Sequence, residues 1–313
     1  MVKREIPGHK EIERMNWRQM LDHWGILLAD GAWGTEIGKR GLAVGECPER
    51  WNLEHPDQIK QIASSYLEAG AQIVLTNTFG ANRLKLRRFG LADRVEEINR
   101  VGVELSREAV NGAALVFASI GPTGEFMKPL GTVTETEMIE AFAQQVRAFV
   151  AAGADGVVVE TMMDLAEARC ALRAVRDSSD LPAAVCMTFS RGPAGYATIM
   201  GITPQQAATE LEKAGADLVG ANCGTGIEDM IEVIRLMRPV ITKPLWAKPN
   251  AGVPELVDGK TVFRQTPEEM ANHLPALTEA GARVVGGCCG TTPEHIRTMA
   301  EKINPLRKNR TPE

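Results

Sequence analysis

Eight short apolar runs recur along the chain, and their spacing constrains its fold more than any other feature. The runs begin at residues 26, 72, 114, 156, 182, 218, 244 and 283, at intervals that average about 37 residues. Apolar runs of this length without alternation are typical of parallel strands buried on both faces. The stretches between them include helical patterns at 56–69 and 137–152. The spacing therefore predicts repeated strand–helix units around a parallel sheet.

The tripeptide Ala-Gly-Ala occurs four times, each time between a helical segment and a predicted strand. The copies stand at 69–71, 152–154, 214–216 and 280–282, before strands two, four, six and eight. Each glycine suits the end of a helix, because glycine adopts the left-handed conformation at little cost. A repeat of two strand–helix units fits a closed barrel better than an open sheet, and the variable helix lengths argue against a solenoid. We therefore expect an α/β fold, a single (β/α)8 TIM barrel with a short N-terminal extension.

Composition and charge limit the domain count and the partners. A chain of 313 residues allows one or two domains, and no linker or low-complexity segment divides it. We expect an N-terminal tail and short helix at 1–24, the barrel at 25–304 and a C-terminal tail at 305–313. The formal net charge of −5 argues against nucleic acid as a partner, and no apolar run is long enough for a membrane span. Since no secretory signal is visible, we expect a cytoplasmic protein, in which six cysteines favour metal binding or catalysis over disulfides.

Three of the six cysteines fall at the ends of predicted strands, where the active site of such a barrel lies. Cys223 ends strand six, and Cys288 and Cys289 end strand eight within the glycine-rich run 286–290. Strands six and eight flank strand seven, and the neighbouring glycines let both sulfurs of the pair turn to one point. Three thiolates with an open fourth position are typical of a catalytic zinc site, although free cysteines are also often small buried hydrophobic residues.

A zinc ion held by three thiolates is electron-rich and a poor generator of hydroxide. Such an ion suits the binding of a fourth thiol, that of a substrate, which it deprotonates. The cysteines therefore indicate a thiolate nucleophile and the transfer of an alkyl or methyl group. We assign no protein side chain a catalytic role beyond holding that thiolate.

Six motifs along one barrel length resemble those of the zinc-dependent homocysteine S-methyltransferases. The motifs are Asp30–Thr35, Thr76–Gly80, Gly121–Glu125, Gly220–Gly224, Pro249–Gly252 and Gly286–Pro293. From about residue 20 to residue 303 the chain is similar to the homocysteine-binding module of cobalamin-dependent methionine synthase and to stand-alone bacterial relatives. The resemblance implies a (β/α)8 barrel with zinc held by Cys223, Cys288 and Cys289. It also implies that Asn250 occupies the fourth position until homocysteine displaces it, whereas a turn residue is the other interpretation of Asn250.

Two carboxylates and one turn complete the expected substrate site. Asp30 and Glu160 end strands one and four. A carboxylate in a pocket is costly without a cation, and the ammonium group of an amino acid is such a cation, a use that the resemblance also implies. A structural ion pair or a helix cap is the alternative for both residues. The backbone N–H groups of Gly31 and Ala32 are expected to receive the substrate carboxylate.

The other candidate residues receive structural interpretations. We expect Cys47, Cys170 and Cys186 to serve packing, because they fall in a loop, on a helix and within a strand. His295 is expected to face solvent or to cap its helix. Lys248 is expected to pair inside the barrel.

The predicted reaction is methyl transfer to the zinc-bound thiolate of homocysteine, giving methionine. The donor candidates are a methyl-corrinoid, free or on a partner protein, glycine betaine and S-methylmethionine. A quaternary ammonium donor needs an aromatic cage, but aromatic residues make up only 5% of the chain. In addition, Cys47 and Gly80 stand about where the animal betaine enzymes have Trp and Tyr. We therefore favour a corrinoid-linked donor. The other two donors stay open, because Trp33, Trp51 and Phe79 remain nearby in the motifs.

Two alternatives belong to other functional classes. The chain could be a non-catalytic zinc- or thiol-binding subunit of a methyl-transfer system, which an intact pocket around Asp30 and Glu160 disfavours. It could also be an unrelated barrel lyase or aldolase, in which Lys248 would form a Schiff base with the substrate.

Overall fold

Eight parallel strands form one sheet in the computed structural model, which describes residues 15–257 and 260–307. Numbered along the chain, strands 1 to 8 are Leu27–Leu28, Ile73–Leu75, Leu115–Ile120, Gly156–Met162, Ala183–Met187, Leu218–Asn222, Leu245–Lys248 and Ala282–Val285. Their order in the sheet is 1-8-7-6-5-4-3-2. This is the strand order of a (β/α)8 barrel, as the spacing of the apolar runs predicts.

The sheet closes between its first and second strands. Leu27 pairs with Val284 on one side of strand 1. On the other side Ala29 bridges to Ile73, the N–H of Asp30 donates to the carbonyl of Ile73 at 3.0 Å, and the N–H of Gln72 donates to the carbonyl of Leu28 at 2.7 Å. Strand 1 is thus short but hydrogen-bonded on both edges, so the barrel has no open edge there.

Helices surround the barrel. The α-helices of the described residues are Trp17–Trp24, Trp33–Lys39, Trp51–Glu54, Pro56–Glu68, Arg83–Leu86, Val95–Val110, Glu135–Ala151, Leu165–Ser178, Pro204–Lys213, Ile227–Met237, Pro267–Asn272, Leu274–Glu279 and Pro293–Ile303. Two antiparallel hairpins, Ser190–Gly192 with Gly195–Ala197 and Glu255–Val257 with Lys260–Val262, extend from the loops after strands 5 and 7. Both hairpins therefore lie on the side where the strands end.

The four Ala-Gly-Ala tripeptides end helices as the sequence predicts. Their glycines Gly70, Gly153, Gly215 and Gly281 have φ values of 101°, 76°, 95° and 120°. These values lie in the left-handed region, which a residue with a side chain enters at a cost. Each tripeptide turns the chain from the end of a helix into the next strand.

The interior of the barrel is apolar at its amino end and polar at its carboxyl end. The rings of Phe117 and Trp246 stack inside it with their centroids 5.9 Å apart. Trp17 and Met20 of the N-terminal helix pack against this same interior cluster and close the amino end. At the carboxyl end the side chains of Asp30, Glu160, Asn222, Lys248 and Asn250 are buried instead. Three buried ionisable side chains, Asp30, Glu160 and Lys248, therefore lie together at the carboxyl end of the barrel.

The predicted tails are described only in part. The N-terminal extension includes the helix Trp17–Trp24, and its residues 1–14 lie outside the described residues, as do residues 308–313 of the C-terminal tail. The expected boundaries at 24/25 and 304/305 stay predictions. Among the described residues, no helix has the length and apolar character that crossing a membrane requires.

Candidate active site

The three cysteines predicted to lie together do so. The sulfur atoms of Cys223, Cys288 and Cys289 all lie within 4.8 Å of one another, and the Cys223 and Cys289 sulfurs are 3.9 Å apart. Cys223 directly follows strand 6, while Cys288 and Cys289 follow strand 8. All three are partly exposed, so the cluster is reachable from the mouth of the barrel.

The end of strand 7 holds both cysteine segments in place. The N–H of Cys223 donates to the carbonyl of Lys248 at 3.0 Å, and the N–H of Cys288 donates to the carbonyl of Pro249 at 2.8 Å. Strand 8 ends at Val285, so the cysteine pair has left strand geometry, as its flanking glycines predict. At Gly287 a Cβ would lie 2.3 Å from Thr291 Oγ1, which leaves room for glycine only.

Hydrogen bonds among the three thiols shift their pKa values in opposite directions. Hydrogen bonds from Cys288 and Cys289 lower the pKa of Cys223 to about 3. The hydrogen bond to Cys223 raises the pKa of Cys288, and it likewise raises the pKa of Cys289 to about 12. A cation among the sulfurs would favour the thiolate form of all three residues, so these residues can hold a metal ion.

Asn250 supplies an oxygen beside this cluster. Its side-chain Nδ2 donates to the carbonyl of Gly224 at 3.1 Å, and its amide also contributes to the lowered pKa of Cys223. Its Oδ1 is buried and has no hydrogen-bond partner among the described residues. Buried acceptors without a partner are uncommon in folded proteins. A metal ion at the cysteines would give this oxygen a partner, so the residues present fit such an ion.

Glu160 is a buried carboxylate with neutral partners only. Its Oε1 accepts from Ser119 Oγ at 2.6 Å and its Oε2 accepts from Asn222 Nδ2 at 3.3 Å. No ion pair joins it to a basic side chain in the described part of the chain. Burial raises the pKa of Glu160, although Lys248 and Ser119 act to lower it. A ligand cation would find an unneutralised carboxylate here.

Asp30 has a charged partner already. Its Oδ1 lies 2.6 Å from the Nζ of Lys248, and both side chains are almost fully buried. Its Oδ2 accepts from Trp33 Nε1 and from the N–H of Leu75, both at 2.8 Å. This is the structural ion pair that the sequence leaves open as an alternative for Asp30, and it gives Lys248 the interior partner expected for it. Burial acts to lower the pKa of Lys248, but Asp30 and Glu160 outweigh it and the pKa is raised, so the lysine is a cation and not a free amine.

The turn after strand 1 presents backbone donors at the same mouth. The N–H groups of Gly31 and Ala32 make no hydrogen bond within the described residues, while the carbonyl of Ala32 accepts from the buried hydroxyl of Tyr66 at 3.0 Å. A Cβ at Gly31 would lie 2.8 Å from the Tyr66 ring. The turn is therefore fixed by Tyr66, and its N–H groups remain able to receive an anion.

The other cysteines and His295 lie outside the cluster. Cys47, Cys170 and Cys186 are buried, and burial raises the pKa of each thiol. His295 caps its own helix, since its side chain contacts the backbone N–H of Thr292 at 3.2 Å within a reciprocal cap. The packing roles predicted for the three cysteines agree with these surroundings. His295 caps its helix, as one of its two predictions states, and the other, that it faces solvent, is wrong because the residue is buried.

Besides Ser119, which donates to Glu160, sequence reasoning missed Asn222. Its Nδ2 lies 3.3 Å from Glu160 Oε2 and 3.7 Å from Cys288 Sγ, so one amide contacts both the carboxylate and the cysteine cluster. Its Oδ1 accepts from the N–H of Thr161 at 2.6 Å. The only signal for this role was its place beside Cys223, which did not show what its side chain would contact.

The sequence comparison decides the family. A sequence model described as homocysteine S-methyltransferase matches residues 27–303. The chain belongs to the homocysteine S-methyltransferase family. This confirms the resemblance drawn from the six motifs, and the matched residues span the whole barrel.

Two curated relatives are similar to most of this chain, but the matched residues make up different shares of their own lengths. Methionine synthase of Mycobacterium tuberculosis is 31% identical over 301 residues, which cover 90% of this chain and 25% of that protein. Betaine–homocysteine S-methyltransferase 1 of Xenopus laevis is 28% identical over 312 residues, which cover 92% of this chain and 75% of that protein. The chain thus spans about a quarter of the length of the methionine synthases it matches.

A solved structure of similar shape comes from Escherichia coli. The oxidized form of its homocysteine methyltransferase MmuM has a TM-score of 0.76 at 25% identity, covering 91% of this chain and 98% of that one. The metallated form has a TM-score of 0.77 at 24% identity, covering 91% of this chain and 99% of that one. The barrel fold is therefore shared along nearly the full length of both chains.

Proposed function

We propose that this protein transfers a methyl group to the sulfur of homocysteine and so forms methionine. One observation carries the proposal: three cysteine thiols and an unneutralised carboxylate, Glu160, lie at one barrel mouth, and the single side chain of Asn222 touches both. A thiol bound at the cysteines and an ammonium bound at Glu160 belong to one small molecule when that molecule is an amino acid with a thiol side chain. Family membership supports homocysteine as that amino acid.

Zinc is the metal that we propose for the cysteine cluster. Thiolate sulfur suits zinc and disfavours magnesium and calcium, which prefer oxygen. Cys223, Cys288 and Cys289 would hold the ion, with Asn250 Oδ1 as the fourth donor in the absence of substrate. Bound zinc would supply a thiolate from the substrate thiol at neutral pH. A reducing compartment such as the cytoplasm would keep the three cysteines unoxidised.

The chain's own residues orient the acceptor. Glu160 would bind its ammonium group and the N–H groups of Gly31 and Ala32 its carboxylate, so that the sulfur is directed to the cysteines. In the transfer, the sulfur–carbon bond forms as the bond between the methyl group and the donor breaks, and the electron pair of that bond leaves with the donor. The proton of the thiol is released to solvent. Binding the ammonium and carboxylate groups of the acceptor holds its sulfur in place for attack. This lowers the entropic part of the activation free energy.

A methyl-corrinoid, free or carried by another protein or domain, is the donor that we propose. The methionine synthase match supports it. The surroundings of Cys47 and Gly80 also disfavour aromatic side chains at these two positions, because the buried Glu49 lies between them: its carboxylate accepts from Cys47 Sγ at 3.3 Å and from the N–H of Gly80 at 2.5 Å. A Cβ at Gly80 would lie 2.7 Å from Glu49 Oε1, so a larger side chain does not fit there without moving Glu49.

Parallel assays test the reaction and the donor together. Zinc-loaded protein is incubated with homocysteine and, separately, with methylcobalamin, betaine or S-methylmethionine, and methionine is measured. We expect methionine with methylcobalamin. Methionine with betaine or S-methylmethionine alone would contradict the corrinoid proposal and leave homocysteine as acceptor. Homocysteine binding without methionine from any donor would favour the non-catalytic subunit.

Cysteine variants test the metal site. Cys223→Ala, Cys288→Ala and Cys289→Ala should each reduce bound zinc and methionine formation by at least about tenfold, because two thiolates bind zinc far more weakly than three. Cys170→Ala is the matched control, since it removes a buried thiol outside the cluster and should leave both quantities unchanged. Metal content is measured by atomic emission. Any of the three variants that retained stoichiometric zinc and normal turnover would refute the assignment.

A further inference from the structure

The backbone of residues 248–251, which ends strand 7 and begins the loop after it, holds all three cysteines of the cluster. Each cysteine shares one backbone hydrogen bond with this segment: Cys223 with Lys248 at 3.0 Å, Cys288 with Pro249 at 2.8 Å and Cys289 with Ala251 at 2.9 Å. Asn250 lies within the same segment. The arrangement of the three sulfurs and of Asn250 therefore depends on how the segment itself is held.

The segment is held from its other side by Gln265 and His295. The N–H of Gln265 donates to the carbonyl of Ala251 at 3.0 Å, while the N–H of Ala251 donates to the carbonyl of Cys289. The carbonyl of Gln265 in turn lies 3.0 Å from Nε2 of His295. Three hydrogen bonds in series, through two peptide groups, thus connect the His295 ring with Cys289. Hydrogen bonds in such a series strengthen one another.

The two partners of the His295 ring determine its protonation. Nδ1 lies 3.2 Å from the backbone nitrogen of Thr292, whose N–H can only donate, and the carbonyl of Gln265 can only accept. A neutral imidazole has one accepting and one donating nitrogen, so Nδ1 accepts and Nε2 donates. Burial lowers the pKa of His295, which favours this neutral form. Both nitrogens of the ring are therefore occupied, each by a different element.

The other helix caps of the same type show that capping alone does not require histidine. Five helices of the described residues begin with a reciprocal cap, in which the side chain at the third helical position accepts from the N–H of the residue before the helix. In four of them this side chain belongs to Gln19, Glu137, Gln206 or Glu269. These four side chains hydrogen-bond only within their own caps in the described part of the chain. His295 alone of the five also bonds to a distant segment, that of Gln265.

We infer that His295 is a positioning residue for the metal site: through the carbonyl of Gln265 it holds the segment 248–251, and with it the three cysteines and Asn250, in the arrangement that binds the ion. The inference rests on the proposed function, since it concerns the ion that prepares the substrate thiol. A residue that orients the ligands in this way changes metal affinity without touching the ion.

Two variants separate this role from helix capping, because each removes a different contact of the ring. In His295→Asn the side-chain oxygen is as many bonds from the Cα as Nδ1, so it still accepts from Thr292, but the side chain ends short of Gln265. In Thr292→Ala the hydroxyl of the cap is lost and the bond to Gln265 is kept. Each variant should lower the melting temperature by about 2–4 °C, the effect of one hydrogen bond or cap.

Metal affinity should distinguish the two variants. Zinc affinity, measured by competition with a chelator, should fall about tenfold in His295→Asn and stay unchanged in Thr292→Ala. Cobalt(II) bound in place of zinc gives a second readout, since its visible absorption depends on the number and geometry of its ligands. That spectrum should change in His295→Asn and match the wild type in Thr292→Ala.

A third variant tests for rescue. The amide nitrogen of His295→Gln is as many bonds from the Cα as Nε2, so this variant should bind zinc like the wild type. It keeps the test decisive even where His295→Asn does not fold, because loss of zinc affinity in His295→Gln would contradict the inference.

Two further results would overturn the inference. Zinc affinity in His295→Asn equal to that of the wild type would show that the segment does not need the ring, and an equal loss in His295→Asn and Thr292→Ala would reduce His295 to a helix cap. Failure of the wild type to bind zinc would refute the proposed metal site, and this inference with it. Zinc binding without methionine formation would refute the proposed reaction alone, since no step of this test uses a methyl donor.

Discussion

At the scale of single residues, backbone strain is concentrated where the site is built. Thr161 and Cys223 have φ values of 61° and 60°, although both carry side chains. The left-handed conformation costs about 1–2 kcal/mol for such residues. Thr161 follows Glu160, Cys223 is in the cysteine cluster, and Asn222 hydrogen-bonds to Thr161 from the position before Cys223. The strain accompanies the link that Asn222 makes between the carboxylate and the cysteines.

Relief of this strain should lower homocysteine affinity while it leaves the free energy of unfolding nearly unchanged. In Thr161→Gly we expect the free energy of unfolding to change by less than about 1 kcal/mol, because relief of strain and the added chain entropy of glycine oppose each other. Homocysteine affinity should fall about threefold or more, since Asn222 loses its 2.8 Å contact to Thr161 Oγ1. Urea unfolding and calorimetry measure the two quantities.

A matched control for this variant lies far from the site in the fold. Asn111 has a φ of 44° at the end of the helix Val95–Val110, so Asn111→Gly relieves the same kind of strain. It should leave homocysteine affinity unchanged. If both variants weaken binding equally, the proposed role of Thr161 is wrong.

The raised pKa of Glu160 predicts a pH dependence for recognition of the amino group. The carboxylate binds an ammonium only when it is ionised, so affinity falls as pH drops through its pKa. Because burial raises that pKa, the fall should begin above the range of an ordinary glutamate, whose pKa is about 4.3. The ratio of the dissociation constants of homocysteine and of 4-mercaptobutyrate, which lacks the amino group, isolates this effect from titration of the thiol. A ratio that stays constant down to about pH 4 would contradict the prediction.

Residue types and spacing predicted the cysteine cluster, but not its partners. Cys223, Cys288 and Cys289 stand at strand ends, and the register of a closed barrel brings such ends together. The pairing of Asp30 with Lys248 and the neutral donors around Glu160 depend on side-chain directions across the barrel interior. Sequence spacing carries no information on those directions, so the two carboxylates looked equivalent.

At the scale of elements, the loop after strand 8 depends on close packing at its glycines. Thr291 Oγ1 donates to the carbonyl of Cys288 at 2.6 Å, and the same oxygen would lie 2.3 Å from a Cβ at Gly287. A side chain at Gly287 must displace Thr291 and with it the cysteine pair. We expect Gly287→Ala to lose zinc affinity by about tenfold or more, in line with the effect of removing a group that orients the ligands.

The control is a glycine without neighbours. Gly38 lies in the helix Trp33–Lys39, and a Cβ there meets nothing within 4 Å. Gly38→Ala should raise the free energy of unfolding by about 0.5–1 kcal/mol through helix propensity, with zinc affinity unchanged. Zinc affinity is measured by competition with a chelator. Equal zinc affinity in Gly287→Ala and wild type would show that the loop tolerates the displacement.

Regular elements were predictable where periodicity and turn chemistry agreed. The predicted helix at 137–152 is Glu135–Ala151 in the structure, and the one at 56–69 is Pro56–Glu68. The hairpin of Ser190–Gly192 and Gly195–Ala197 was not predicted. Its first strand is wholly exposed. The sequence there therefore lacks the alternation of apolar and polar residues that indicates a half-buried strand.

At the scale of the whole molecule, the N-terminal helix closes the end of the barrel that lies opposite the cysteines. Met20 is fully buried against the interior cluster, so Met20→Ala should lower the free energy of unfolding by about 2–5 kcal/mol. Arg18→Ala is the control on the same helix: its side chain is 62% exposed in an ion pair with Asp217 and should cost less than about 1 kcal/mol. Zinc content and homocysteine affinity should be unchanged in both folded variants. Loss of either would mean that the two ends of the barrel are coupled.

The fold as a whole was the most predictable level, and the donor was the least. Eight apolar runs and four Ala-Gly-Ala tripeptides predict a barrel, because each repeat adds the same pair of strand–helix units. Donor choice depends on the loops around the mouth and on whatever approaches them. Positions 47 and 80 disfavoured an aromatic cage without excluding one, but only the structure shows that Glu49 hydrogen-bonds to both positions.

Both ends of the described chain lie on the face away from the cysteines. Met15 lines a cavity with Leu115 and Asp155, where strands 3 and 4 begin, and Arg307 donates to Gln72 just before strand 2. A tether joined before Met15 or after Arg307 therefore starts from this face. Protein immobilised on a bead or sensor chip through either end would present its open mouth to the flowing solution, and an added fluorophore at either end would report on tumbling without obstructing entry of the acceptor.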